Sequence, residues 1–241
     1  MSVYGQRARI GYTCPPLIAE VFAYEFYKMA PPGVTLMLTT LALTVRSKEE
    51  VDKSFDMSLE AARAMAKAGA SVVVLGGLPI NRAHGGQDLA SFQQDLTRDL
   101  GIPVVLSAVA QRKALQALGS RQVGTVHPYE TAHDARHAEQ IKGLGCEPHG
   151  VIACDMSLLD LGRVPMEMAP TLARRLKREN PEIDTIHFAS AHWATAHCLE
   201  AVEAEHGVSV MSSQQAIFWD ALRSAGLRDP IPFYGKLLRE H

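Results

Sequence analysis

No Cys-x-x-Cys pair occurs among the four cysteines, Cys14, Cys146, Cys154 and Cys198, which argues against a zinc ribbon or a disulfide framework. Reduced thiols are the expectation. Neither charge is in excess: 24 Lys+Arg against 26 Asp+Glu leave a net −2, so there is no electrostatic case for nucleic acid or an anionic membrane as partner. No apolar run reaches the roughly 18 residues that a membrane helix needs, and Met1–Arg7 lacks the apolar core of a signal peptide. A cytoplasmic protein is expected, with small molecules, or copies of itself in a homo-oligomer, as partners. Also missing are a Gly-x-Ser-x-Gly elbow and any His-x-His or His-Glu-x-x-His spacing, which leaves a serine hydrolase and a metal centre as minor readings.

What is present is a regular alternation. With 241 residues and 47% hydrophobic content, the chain can bury a substantial core in one large α/β domain or two small ones. Arg9–Thr13 reads as a buried strand stopped by Cys14, Pro15 and Pro16, followed by a helical apolar pattern over Leu17–Met29. Val34–Leu41 is a second strand. Ser47 with Glu50 resembles a capping box that opens a helix to about Lys67. Ala70–Leu75, apolar throughout and bounded by glycines, has the look of a central parallel strand, and it empties into a glycine-rich loop, Gly76–Gly86. Strands over 103–106, 121–126, 150–153, 185–190 and 208–211 alternate with helices over 88–100, 108–118, 130–144, 165–177, up to His206, and 214–225. The class implied is α/β with parallel sheets.

A repeat divides the chain. Gly101, Val104, Ser107 and Ala110 are matched at constant spacing by Gly207, Val210, Ser213 and Ala216, and each set is followed by an amphipathic helix ending at a glycine, Gly119 or Gly226. Duplication would place Pro15–Pro16 opposite Pro128–Tyr129, and Gly76–Gly77 opposite Ala189–Ser190. The lobes expected are 1–107 with 213–241, and 108–212. The stretch from Thr185 to Thr195 is where a carboxylate is expected to bind, on backbone N–H groups between a buried strand and a helix amino terminus.

Ile10–Pro16, Val72–Gly77, the Pro128–Tyr129 turn and above all Val210–Leu222 and Phe233–Leu238 resemble the aspartate/glutamate racemase superfamily, in its arylmalonate decarboxylase and maleate cis-trans isomerase branch. The resemblance implies two pseudosymmetric parallel-sheet lobes with the active site in the cleft between them. It also implies chemistry without a cofactor on a carbon next to a carboxylate, with a small carboxylic acid as substrate and no metal. Its members carry a cysteine in each lobe, or in the second alone. Those positions match Gly77 and Ser190 here, so both thiols are missing.

An unperturbed thiol, with a pKa near roughly 8.5, suits proton donation near neutral pH. A serine hydroxyl does not titrate there, so Ser190 is expected to donate a hydrogen bond rather than a proton. Tyr129 matches the tyrosine that the family places against an enediolate. Leu78 and Pro79 stand where the family has small hydroxyl residues, and Pro79 removes an N–H donor. Three groups are candidates for the missing acid: His192 beyond Ser190, His84 in the glycine-rich loop, and Cys14. The predicted catalytic set is Ser190, His192 and Tyr129; the predicted substrate-binding set is Cys14, Pro15, Pro16, Gly77, Leu78, Pro79, His84 and Ala191. A non-catalytic carboxylate-binding homologue and a hydrolase using Ser190 are the alternatives. His127, His84 and His192 would be the members of any metal site, and His133 and His137, four apart on a polar helix, read as a solvated face.

Overall fold

The computed structural model describes residues 4–44, 47–77 and 88–241. Two four-stranded, all-parallel sheets account for the alternation seen in the sequence. In the first, β1 (Ala8–Pro16), β2 (Val34–Leu43), β3 (Val72–Leu75) and β4 (Val104–Leu106) lie in the order β2-β1-β3-β4. In the second, β5 (Gln122–His127), β6 (Glu147–Ala153), β7 (Thr185–Phe188) and β8 (Ser209–Ser212) repeat that order as β6-β5-β7-β8. The described helices are α1 (Glu20–Met29), α2 (Lys48–Lys67), α3 (Leu89–Leu100), α4 (Ser107–Leu118), α5 (Asp134–Gly143), α6 (Met168–Glu179), α7 (Leu199–His206), α8 (Ser213–Ser224) and the short α9 (Lys236–Glu240).

Two compact units result, Met1–Ala110 with Ile217–Asp229, and Gln111–Ala216 with Pro230–His241. The chain passes from one to the other inside α4 and again inside α8. Residues 230–241 pack with the second unit, whereas the sequence reading grouped all of 213–241 with the first. The reason is the partly buried Glu203 of α7, whose carboxylate accepts from the Lys236 N–H at 2.8 Å and the Val210 N–H at 3.1 Å. Leu237 and Leu238, which follow Lys236, are fully buried.

In the first unit, Ala62 and Met65 of α2 and Leu96 of α3 cover one face of β3 and β4 through Val73, Leu75, Val104 and Leu106. Tyr12 of β1 stacks on Phe22 of α1 at 3.9 Å between ring centroids, and Phe26 meets Phe218 of α8 edge-on at 5.1 Å. In the second, Val126, Ile186, Phe188 and Val210 pack against α6 and α7 through Ala173, Leu176, Leu199 and Val202. Covered on both faces, β3 and β4 are apolar throughout, whereas β7 alternates Thr185, Ile186, His187 and Phe188 and so gives the second sheet one apolar and one polar buried face.

Local signals held with adjustments. Ser47 caps α2, its hydroxyl accepting from the Glu50 N–H, but the Glu50 carboxylate turns to Thr44, bonding its N–H and hydroxyl at 3.1 and 2.6 Å. The prolines do not stop β1: the strand runs through Pro16 with a bulge against β2 between Cys14 and Pro16, a position where a missing N–H is tolerated. Helix α1 accordingly begins at Glu20, three residues later than the apolar pattern from Leu17 predicts.

Gly76, immediately after β3, donates its N–H to the Thr13 carbonyl at 3.1 Å. A Cβ there would lie 2.4 Å from that oxygen and 2.8 Å from both Pro15 Cδ and Tyr12 Cε2. Gly76→Ala is expected to destabilise the protein by about 3 kcal/mol through forced overpacking. Urea unfolding checks this, and a loss below about 0.5 kcal/mol, the size of an ordinary surface change, would contradict the close approach.

Candidate active site

Each unit carries its candidate residues at the carboxyl ends of its two central strands, where parallel α/β sheets place ligands. In the first, Cys14, Pro15 and Pro16 end β1 and are buried, and Gly76–Gly77 follow β3, with Gly77 at φ 82°. Burial pushes the Cys14 thiol up, so it stays protonated and is a weak acid at neutral pH. Leu78, Pro79 and His84 lie outside the described residues.

The second unit brings Tyr129, Ser190, Ala191 and His192 together, all buried. Parallel pairing of β5 with β7 sets Val126 beside Phe188, so the segments leaving both strands emerge side by side. The Tyr129 hydroxyl donates to Ser190 Oγ at 3.0 Å, and the His192 backbone N–H donates to the same oxygen at 3.1 Å. Two donors thus converge on one hydroxyl oxygen, and the Ser190 proton is left to point elsewhere.

Tyr129 is clamped from the exit of β6. Asp155 N–H donates to the Tyr129 carbonyl at 3.1 Å and Met156 N–H to the Pro128 carbonyl at 2.8 Å. The Asp155 carboxylate accepts from the Thr131 N–H at 2.8 Å and its hydroxyl at 2.6 Å, bonds that hold its pKa below the usual carboxylate range. Asp155 sits at φ 56°, a left-handed conformation that Asp tolerates better than most residues. The sequence reading missed Asp155; no spacing relates it to Tyr129.

A helix amino terminus does not follow Ser190, contrary to expectation. Helix α7 begins only at Leu199, and a turn-rich segment intervenes. Trp193 explains this: fully buried, it meets Phe188 edge-on at 5.8 Å and joins the core with Cys198 and Leu199. Filling that space takes the segment through turns rather than a helix, so any anion here is met by the donors of the turn and by side chains.

A polar cluster covers one face of the second sheet. His127, the last residue of β5, is fully buried and lies 2.8 Å through Nε2 from Asp134 Oδ1. Burial dominates over the carboxylate and lowers its pKa. His187 of β7 is buried too, its Nε2 3.1 Å from Ser213 Oγ, which donates in turn to Gln111 Oε1 at 3.4 Å. Burial, helped by His127, brings the His187 pKa down to about 3. The solvated face expected for His133 and His137 is corrected for the second: His137 is buried, with its ring 4.0 Å from His127. Among the described residues no group of three or more His, Cys, Asp or Glu is arranged to hold a metal ion. No described helix is long and apolar enough to cross a membrane.

Two units with one all-parallel strand order, each with its candidate residues beyond the central strands, define the racemase-like α/β fold. The chain belongs to the arylmalonate decarboxylase family, whose sequence profile matches residues 10–238. The arylmalonate decarboxylase of Bordetella bronchiseptica is 28% identical over 215 residues, covering 87% of this chain and 88% of that protein. The crystal structure of an arylmalonate decarboxylase superposes with a TM-score of 0.81 at 26% identity, over 97% of this chain and 100% of the other. The maleate isomerase of Pseudomonas putida S16 shares the fold at 21% identity, with a TM-score of 0.85 over 97% of this chain and 98% of that one. The chain is therefore an enzyme of this lyase and isomerase class, one that works without a cofactor. Cysteine is absent from both catalytic cysteine positions of the family, so its chemistry is not that of a thiol.

Proposed function

We propose that the enzyme acts on a small mono- or dicarboxylic acid at the carbon next to a carboxylate, through an enediolate-type intermediate held by Tyr129 and Ser190. For a malonate-type acid, the bond to one carboxylate breaks and CO2 leaves. Its electron pair passes into the remaining carboxylate as an enediolate, and a proton then adds to carbon. The observation that carries this reading is the pair of donors on Ser190 Oγ, from Tyr129 and His192 N–H. With both directed at its oxygen, Ser190 is spent as an acceptor and offers its own O–H to developing negative charge, the arrangement of an oxyanion site. His192, buried two residues from Ser190, is the candidate acid and base. The same two donors disfavour a hydrolase reading, since they draw electron density from the oxygen that would have to attack.

The test is incubation of the pure protein with malonate-type acids, maleate and amino acids, with products followed by NMR. Turnover that survives thiol alkylation is expected. Saturable carboxylate binding with no product from any of them would overturn the catalytic reading in favour of a binding homologue, and covalent labelling of Ser190 by a fluorophosphonate would favour hydrolysis.

A further inference from the structure

We infer that His127 is a positioning residue of the Ser190 site, holding Tyr129 in place by stapling the segment that carries it and by stacking rings against it. The inference rests on the reading of Tyr129 as a ligand-facing donor. Its basis is geometric. His127 is the last residue of β5 and Asp134 the first of α5, so their 2.8 Å bond closes the six-residue segment Pro128–His133 on itself. Tyr129 lies within that segment. One turn into α5, His137 presents its ring 4.0 Å from His127 and, nearly parallel at 5°, 6.0 Å from Tyr129. The His127 and Tyr129 rings are themselves 6.1 Å apart. Three rings thus form one buried cluster, and one of them is the phenol that reaches Ser190.

A phenylalanine at 127 would stack equally well, but it would leave the Asp134 carboxylate without its ring N–H donor and the segment without its staple. Histidine supplies both functions, its ring packing in the cluster while Nε2 donates to Asp134. Nδ1 is buried with no hydrogen-bond partner among the described residues. The titratable groups around the ring are Asp134 and His137 on α5, His133 within the segment, Asp155 beyond β6, His187 on β7 and Tyr129. The two carboxylates favour a charged ring, whereas burial and His133 oppose it, and burial dominates. A second proton would therefore arrive at Nδ1 with nothing to receive it, and the cluster would loosen around Tyr129.

The experiment is an NMR titration of the Tyr129 ring, assigned by the loss of its signals in Tyr129→Phe, in the wild type and in His127→Gln, between about pH 4.5 and 7.5. Gln can keep the donor to Asp134 but does not titrate. In the wild type the Tyr129 signals should show a step with a midpoint below the ordinary histidine value of 6.5; in His127→Gln that step should be gone, and a step unchanged in the variant would overturn the inference. Where a substrate is turned over, kcat of the wild type should fall on the same acid limb, which His127→Gln removes. His127→Phe should lose about tenfold in kcat with little change in KM, as expected for misplacement of a donor. Tyr129 signals indifferent to pH in the wild type would overturn the inference whether or not any substrate is found. Absence of turnover alongside the shift would instead count against the proposed reaction and leave the positioning role standing.

Discussion

Replacing Tyr129 with phenylalanine is expected to lower kcat/KM by about 10²–10³, the effect of deleting one donor from an oxyanion-type site. The ring cluster with His137 and His127 is kept in this variant, and so is the clamp from Asp155 and Met156, which bonds the backbone. The fold should therefore lose no more than about 1 kcal/mol, the net worth of a hydrogen bond. Most of the loss belongs in kcat, because the charge that this hydroxyl meets develops only as the enediolate forms. Ser190→Ala should behave alike, and the double variant should be little worse than either single one, since the two hydroxyls share one hydrogen bond at 3.0 Å and act as a unit. Steady-state kinetics on whichever acid is turned over decides the matter. A Tyr129→Phe enzyme within about threefold of the wild type, far short of the loss expected for such a donor, would remove this residue from the mechanism.

The second large effect is on stability. His187 is buried, and its pKa is about 3 in the folded protein against 6.5 for the ordinary side chain. Below pH 6.5 the unfolded chain takes up a proton that the native state refuses. Stability is thus intact above that value, declines as the pH falls toward 3, and has no further contribution from this group to lose beyond it. Over the whole window the loss is on the order of 5 kcal/mol, and by pH 4 about 3 kcal/mol. That is a large share of the 5–15 kcal/mol typical of a folded protein. His187→Gln preserves a polar partner for Ser213 without titrating, so its unfolding free energy should fall by about 3 kcal/mol less between pH 7 and pH 4 than the wild type's. Urea unfolding at the two pH values measures the difference, and equal losses in the two proteins would mean that His187 is not the buried neutral group described here. His127, also depressed by burial, adds to the slope in the same direction.

Much of the architecture was legible because it is written in short-range chemistry. Val72–Leu75 is apolar enough to demand cover on both faces. Ser47 and Asp88 cap the helices that follow them, and Gly101 and Gly207 close α3 and α7 in the left-handed conformation, at φ 68° and 62°. The repeat of Gly, Val, Ser and Ala at 101–110 and 207–216 marks the same strand-to-helix unit in both halves, ending in helices that start at Ser107 and Ser213. Tyr129 and Ser190 were readable as a pair only through the family resemblance, and His192 through its place two residues beyond Ser190; the Tyr129 hydroxyl and the His192 backbone N–H both meet Ser190 Oγ.

What eluded the sequence is the surroundings of those residues. His137 belongs to a polar helix and reads as exposed, yet α5 turns it inward onto His127. Asp134 and Asp155 carry no signal of their own, and Trp193 displaced the helix expected after Ser190. The chain by itself determined the alternation of strands and helices, the duplication, and the loss of both thiols, because these depend on residue type and on neighbours a few positions apart. Only the tertiary structure decided which hydroxyl meets which, and which histidines are kept neutral. Parallel pairing brings together residues some sixty positions apart, Tyr129 and Ser190 among them, and burial rather than residue type sets the charge that a buried imidazole can hold.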